Sequence, residues 1–399
     1  MALPLRYNVR NVFVRWRTTS AAILSIALVV CGYLMMQGIP AGLQKSSANT
    51  GDPRNAMIVR NGSTAESSSQ VTREQFRLIP YLPEVAKDAE GRPLVSADTV
   101  VLISLPRRDG RGEANVSLRG ISPVGMQLRP QVSLVEGQDG SGKPASSRWF
   151  VPGKREIVVS RRMAERFANF DIGDSFKTSG QMLTVVGWMD GGNSAFDSEI
   201  WMDSDEARSI FDRENYSSVL VRIADGTSML SFTNRVESDK RLPLRAIPEV
   251  AYYASQTQTQ GFFRIMANFL AMMMSFGAVF AAMNTMYAVV GARVREIGTL
   301  RVLGYRRRAV LASFVIEGAF LSLLGGALGG VLALALNTID LSFGTMGFET
   351  FSEVVVRFRV TPLLLVKGMV FSLIVGVVGS LLPAVRASRL PVIAALKAV

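Results

Sequence analysis

The sequence predicts a polytopic α-helical membrane protein with four transmembrane helices and a large mixed α/β extracytoplasmic domain between the first and second spans. Three observations predict it. Apolar residues make up 48% of the 399, and they gather into four runs close to or above the roughly 20 residues that a bilayer crossing needs. The net charge of +12 sits wholly in three short segments. The long stretch between the first two apolar runs has the composition of a soluble domain.

The charge decides the class of partner. Residues 1–20 carry Arg6, Arg10, Arg15 and Arg17 without an acid. Residues 291–308 carry six arginines against Glu296, and residues 386–399 carry Arg386, Arg389 and Lys397. The rest balances to zero, so the excess is a topology signal and not a nucleic-acid footprint. Four spans from a cytoplasmic N-terminus place all three basic segments inside, and the large domain and one short loop outside.

Two scarcities bound the chemistry. There is no histidine, which removes Ser-His-Asp and Cys-His catalysis and imidazole metal ligation. The single cysteine, Cys31, lies inside an apolar run and excludes an internal disulfide or a thiolate zinc site. It reads as a small apolar residue, since Val29-Val30 before it lacks the small residue that lipoprotein processing prefers.

Taken in order, residues 1–18 form a basic flank and 19–40 an uncleaved first span, too long for a signal-peptide core. Residues 41–261 alternate short β-like runs with turns: Ala56–Arg60, Val95–Ser104, Val116–Arg119, Ile157–Ser160, Leu183–Trp188 and Val219–Ile223. Helical stretches fall at Thr72–Ile79, Arg161–Ala168, Asp205–Arg213 and Met229–Lys240. A methionine-rich second span with a stalk covers 262–290. The basic segment 291–308 leads into a third span at 309–336. A slightly acidic loop at 337–361 precedes the fourth span, 362–384, and a basic tail, 385–399.

Within the basic segment, Val294, Ile297, Leu300 and Leu303 recur every third residue and predict one apolar stripe on a helix. Gly304 is placed as a left-handed residue ending that helix. About twelve residues make a helix near 18 Å long, too short to cross a bilayer. By composition alone it is either an interfacial helix that fixes topology or a docking helix for a cytoplasmic partner.

The run VREIGTLRVLGYRRRAVLASFVIEGAFLSLLGGALGG, starting at Val294, resembles the signature of MacB/FtsX-type permeases of the ABC transporter superfamily. Residues Leu5–Asn11 with Arg15 and Arg17 are similar to that family's cytoplasmic amphipathic helix over 1–18, and Leu381–Lys397 to its closing motif. REIVVSRRMAERF, DIGDSF, TVVGWMDGGNSAFDSEIWMD and YSSVLVRI, all between 155 and 223, resemble its periplasmic core domain. The resemblance implies that domain over 41–261, with an inserted lobe at about 131–213. It makes 291–308 the coupling helix, with Arg293, Arg295, Glu296, Ile297, Leu300, Arg301, Leu303 and Gly304 meeting an ATPase. It also implies a bacterial inner-membrane location, both termini cytoplasmic, and a dimer that relays ATP-driven closure outwards.

The nearest nucleotide-loop match, Gly137–Pro144, has Pro144 where magnesium needs a Ser or Thr, and reads as a flexible polar loop. The ATPase is therefore expected on a separate chain: a cytosolic dimer that binds ATP and Mg, while this chain binds no cofactor or metal and catalyses nothing. Asp197, Glu199, Asp203, Asp205 and Glu206 form an acidic cluster, read as structural because Asp203-x-x-Glu206 is a capping-box-like helix start. Glu317 is an intramembrane charge, costly unless paired, and expects a basic partner in the coupling segment or the N-terminal helix. Gly325, Gly326, Gly329 and Gly330 give two overlapping small-x-x-x-small pairs. With Glu317 they are the expected intramembrane transmission, and Lys367 is placed to snorkel.

The expected function is a permease subunit that drives efflux of a periplasmic substrate through an adaptor and an outer-membrane channel. Its other partners are membrane lipid and a second permease copy or paralogue. Lipoprotein or lipid extraction and regulation of cell-wall hydrolases are the alternatives on the same scaffold. A membrane-anchored hydrolase working through carboxylates is the competing class, and no paired-acid motif supports it.

Overall fold

In this computed structural model, residues 16–110, 112–239, 241–256, 259–338, 342–346, 353–357 and 360–391 are described. Most of the N-terminal helix expected over 1–18, parts of the 337–361 loop and the tail beyond 391 lie outside them.

Helix α1 (Trp16–Thr50) runs without a break through Pro40, past the apolar run that ends there. β1 (Asn55–Arg60), α2 (Arg73–Leu78), β2 (Val95–Pro106) and β3 (Glu113–Ile121) follow. Next come α3 (Pro123–Gln127), β4 (Ser133–Val135), β5 (Gly137–Gln138), β6 (Pro144–Ala145), β7 (Glu156–Ser160) and α4 (Arg161–Arg166). β8 (Ser175–Thr178), β9 (Gln181–Asp190), β10 (Glu199–Asp203), α5 (Ser204–Ile210) and β11 (Ser218–Arg222) lead to α6 (Met229–Ser238), β12 (Leu244–Pro248) and α7 (Glu249–Gln256). The remaining elements are α8 (Thr259–Gly291), α9 (Val294–Val302), α10 (Arg307–Thr338), the strands β13 (Ser342–Met346) and β14 (Glu353–Arg357), and α11 (Pro362–Ser388).

Among the described residues four helices, α1, α8, α10 and α11, are long and apolar enough to cross a membrane. They build a membrane unit separate from the sheet domain, which takes in Leu43–Gly261 and Ser342–Val356. The start of α11 follows from its sequence. Thr361 Oγ1 accepts the Leu364 N–H at 3.3 Å, and Pro362 takes the first helical position, where its missing N–H has no intrahelical role.

The sheet domain is built on one ten-stranded sheet in the order β12-β1-β11-β2-β3-β10-β7-β9-β4, with β8 on β9. β3–β10 and β7–β9 run parallel, and the other pairs are antiparallel. Strand β2 serves two partners. Val95–Asp98 pair with β11, and Thr99–Pro106 pair with β3. The second lobe therefore starts within β2 and takes in β3, not only residues 131–213. Its core holds Val101, Leu118, Ile157, Phe167, Phe170 and Ile200, while Ile58, Ile79, Val219, Phe232 and Val236 fill the first lobe.

Caps fix the short helices. Thr72 and Gln75 close a reciprocal capping box on α2, and Ser160 Oγ accepts the Met163 N–H at the start of α4. Asp203 accepts the Glu206 N–H, opening α5. The Gly137–Pro144 segment is more ordered than a flexible loop. Its strands β5 and β6 pair, and Asp139 Oδ1 accepts Ser141 N–H, Ser141 Oγ and Lys143 N–H at 2.6–3.0 Å. An aspartate that bonds its own following backbone imposes this turn.

Candidate functional site

The candidate site is the segment from Arg293 to Arg308, and its local geometry follows from its residues. Helix α9 ends in a Schellman motif: the Gly304 N–H bonds Arg301 O at 3.2 Å and the Tyr305 N–H bonds Leu300 O at 3.1 Å. Gly304 has φ +89°, a conformation that a Cβ disfavours. Arg301 Nη1 also reaches Tyr305 O at 3.2 Å, bracing the turn into α10.

The expected apolar stripe splits. Ile297 is buried with Met286, Val290, Val310, Phe314, Ala384 and Ala387, so it keys α9 onto α8, α10 and α11. Val294 and Leu300 are half-buried, and Val302 and Leu303 are 61% and 68% exposed. A three-residue spacing drifts by about 60° per step on a helix of 3.6 residues per turn, so four such positions cover about half the circumference. Leu303 moreover caps the helix and has left its face. Arg295, Glu296, Arg306, Arg307 and Arg308 are exposed beside it.

Arg293, at the N-terminal boundary of α9, is the partner of Glu317. Its Nη1 lies 2.7 Å from Glu317 Oε2, and both side chains are almost completely buried. The pair joins the start of α9 to the interior of α10. Beyond it, the four glycines divide between two neighbours. A Cβ on Gly325 would lie 2.8 Å from Ile26 Cβ, and one on Gly329 2.6 Å from Ala27 O, both on α1. A Cβ on Gly326 would clash with Ser372 Oγ, and one on Gly330 would lie 3.4 Å from Leu365 Cδ2, both on α11. Gly318 and Gly376 face each other through Ser380 and Ser322 in the same α10–α11 contact. Small residues permit this backbone approach, which drives helix association in lipid.

The acidic cluster is spent internally. Asp197 pairs with Arg162 at 3.0 Å, Glu199 with Arg119 at 2.8 Å, Asp205 with Arg208 at 3.4 Å and Glu206 with Arg155 at 3.8 Å. Among the described residues no group of three His, Cys, Asp or Glu is placed to hold a metal ion.

Sequence reasoning did not find the charge network in the sheet domain. Arg119 bonds Glu66 Oε1 and Oε2 at 2.8 and 2.9 Å and both Glu199 oxygens at 2.8 Å, with Asp98 Oδ2 at 3.3 Å. Arg129 pairs with Asp98, and Trp201 Nε1 donates to Glu199 at 2.8 Å. Burial pushes the Glu66 carboxyl up, but Arg119 more than offsets this and holds it below the usual range. The available signal was an arginine amid the apolar run of β3.

A membrane protein with four spans, a sheet domain between the first two, and a short basic helix between the second and third has the architecture of an ABC permease. Residues 18–239 match the family model of a MacB-like periplasmic core domain, and residues 268–392 that of an FtsX-like permease C-terminal region. The chain belongs to the MacB/FtsX-type ABC permeases.

The pyoverdine export ATP-binding/permease protein PvdT of Pseudomonas syringae pv. tomato is 32% identical over 122 residues, 31% of this chain and 18% of that protein. The macrolide export ATP-binding/permease protein MacB of Hahella chejuensis is 26% identical over 278 residues, 64% of this chain and 41% of that one. The uncharacterized ABC transporter permease YknZ of Bacillus subtilis is 24% identical over 204 residues, covering 47% and 50%. The chain thus spans half or less of the length of these relatives. The solved periplasmic region of MacB from Actinobacillus actinomycetemcomitans aligns at a TM-score of 0.35 with 12% identity, covering 51% of this chain and 93% of that one.

Proposed function

We propose that this chain is the permease subunit of an ABC transporter in a bacterial inner membrane. It couples ATP hydrolysis by a separate cytosolic ATPase dimer to conformational change of a periplasmic sheet domain. The observation that carries this reading is the way α9 is held. Its apolar end, Val302 and Leu303, and the arginines 306–308 face outward, while Ile297 and the Arg293–Glu317 pair fasten it to α10. A push on the exposed end is then passed to a membrane-spanning helix through a rigid turn. ATP and Mg stay on the partner, and a second permease copy or paralogue completes the assembly. Efflux through an adaptor and an outer-membrane channel is the favoured output, supported by relatives named for export of pyoverdine and macrolides.

The test is co-purification in detergent with an ABC ATPase from the same cell, followed by ATPase stimulation in liposomes. Leu303→Glu is expected to abolish capture. Glu296→Ala combined with Gly304→Leu is expected to uncouple stimulation. Capture and stimulation that survive all three substitutions overturn the reading.

A further inference from the structure

Glu249 opens α7, the helix that leads towards the second span, and it is completely buried. Its Oε2 accepts two hydrogen bonds, from the Asp52 N–H at 2.9 Å and from Asn55 Nδ2 at 2.8 Å. The Asn55 amide also donates to Leu128 O at 3.2 Å. Within this pair of side chains two buried oxygens, Glu249 Oε1 and Asn55 Oδ1, have no hydrogen-bond partner among the described residues. Both are acceptors if the acid is ionised, and folded proteins rarely leave such groups orphaned. They belong to two side chains already joined through Nδ2 and Oε2. A carboxylic acid and a primary amide joined by one such bond form a second when the acid carries its proton on the other oxygen.

We propose that Glu249 is held as the neutral acid, its Oε1 proton donated to Asn55 Oδ1, and that this acid–amide pair locks the segment after the first span to the helix before the second. The two segments are in backbone contact, since a Cβ on Gly51 would lie 2.7 Å from Val250 N. Thr50, the last residue of α1, is held in the same place, its O accepting from Gln131 Nε2 at 2.8 Å and its Oγ1 from the Ala195 N–H at 2.9 Å.

The surrounding cations form their ion pairs with other carboxylates, while Arg129 Nε and Arg222 Nε have no hydrogen-bond partner among the described residues. From β11, Arg222 pairs with the Asp52 carboxylate at 3.0 Å. From the turn after α3, Arg129 pairs with Asp98 of β2 and bonds Gly125 O at 3.2 Å. From β3, Arg119 is divided between Glu66 and Glu199. On α7 itself, Tyr252 OH accepts the Glu66 N–H, and Tyr253 is buried. Burial raises the Glu249 carboxyl above its ordinary value, with Arg129 opposing. A folded-state pKa raised above the unfolded one gives stability that is full below the ordinary glutamate pKa. It falls as pH rises to the raised value and is level beyond it.

The full-length chain in detergent tests this without any transport assay, so the outcome is independent of the permease reading. In Glu249→Gln the amide oxygen accepts both existing bonds and the amide nitrogen donates to Asn55 Oδ1. Infrared spectra at neutral pH are expected to show the carbonyl stretch of a neutral carboxylic acid in the wild type and to lack it in Glu249→Gln. Its melting midpoint should equal or exceed that of the wild type above neutral pH and lose the pH dependence, whereas Glu249→Ala melts several degrees lower throughout. An absent stretch, with Glu249→Gln as destabilised as Glu249→Ala, shows an ionised Glu249 and overturns the proposal.

Discussion

The sheet domain and the membrane unit both bury charge, but in different company. In the sheet domain Arg119 and Arg129 are surrounded by Glu66, Asp98 and Glu199, under large side chains such as Trp201 and Phe196. In the membrane unit Arg293 and Glu317 form a buried pair, and the helices beyond it meet through glycine and serine. The difference reflects the unfolded alternative. A domain that unfolds into water gains from removing apolar area from it. Helices already in lipid gain little that way, and they associate through close van der Waals fit.

Breaking the network should therefore have the largest effect. Arg119→Leu leaves Glu66 and Glu199 buried without their shared cation, and it is expected to destabilise the sheet domain by at least about 3–5 kcal/mol. Thermal unfolding followed by circular dichroism should show a midpoint lower by about 6–20 °C. Glu317→Ala should cost about 3 kcal/mol, because it leaves Arg293 buried without this carboxylate. The double substitution Arg293→Met with Glu317→Leu should recover most of that loss, and a double-mutant cycle measures the coupling. If the double variant is as unstable as the single one, the pair is not the fastening of α9.

The glycine contacts sharpen the other side of the comparison. Gly329→Ala is expected to cost about 1–3 kcal/mol, since the new methyl group meets the α1 backbone. Gly277→Ala, with nothing within 4 Å, should be neutral or stabilise by up to about 1 kcal/mol. Equal melting midpoints for the two would remove close approach as the organising contact. Gly304→Ala strains a left-handed residue by roughly 1–2 kcal/mol and should reduce ATPase stimulation more than melting temperature.

The smallest effect is a pH dependence at the rim of the sheet domain. The Arg148 hydrogen bonds hold the Glu156 carboxyl down at about 2, from an ordinary 4.5. A depressed folded pKa gives stability that is present above the ordinary value and lost as pH falls towards the folded one. The midpoint difference between wild type and Glu156→Gln should therefore shrink as the pH is lowered from 4.5 to about 2. A constant difference would mean that the carboxylate is not the source.

What was legible in the sequence were features carried by neighbours in the chain. The four spans follow from continuous apolar runs, and the turn at Gly304 from a glycine beside its helix. Glu317 announced that it needed a cation. The network around Arg119 stayed hidden because its partners lie at positions 66, 98 and 199, and only the strand order brings them together. The orientation of Leu303 was misread because periodicity assumes a helix that continues, and this one stops at Val302.

The position of β1 between β12 and β11 has a consequence for synthesis. Its partners are β11 and β12, and its last residue, Arg60, pairs with Leu244. The strand therefore waits until residues up to 248 have been made, roughly ten to forty seconds at 5–20 residues per second. For that interval an apolar strand with two open edges stands directly behind the first span. Assembly of this domain is thus a late event in the life of the nascent chain, and a chaperone that shields Ala56–Val59 would have its moment then.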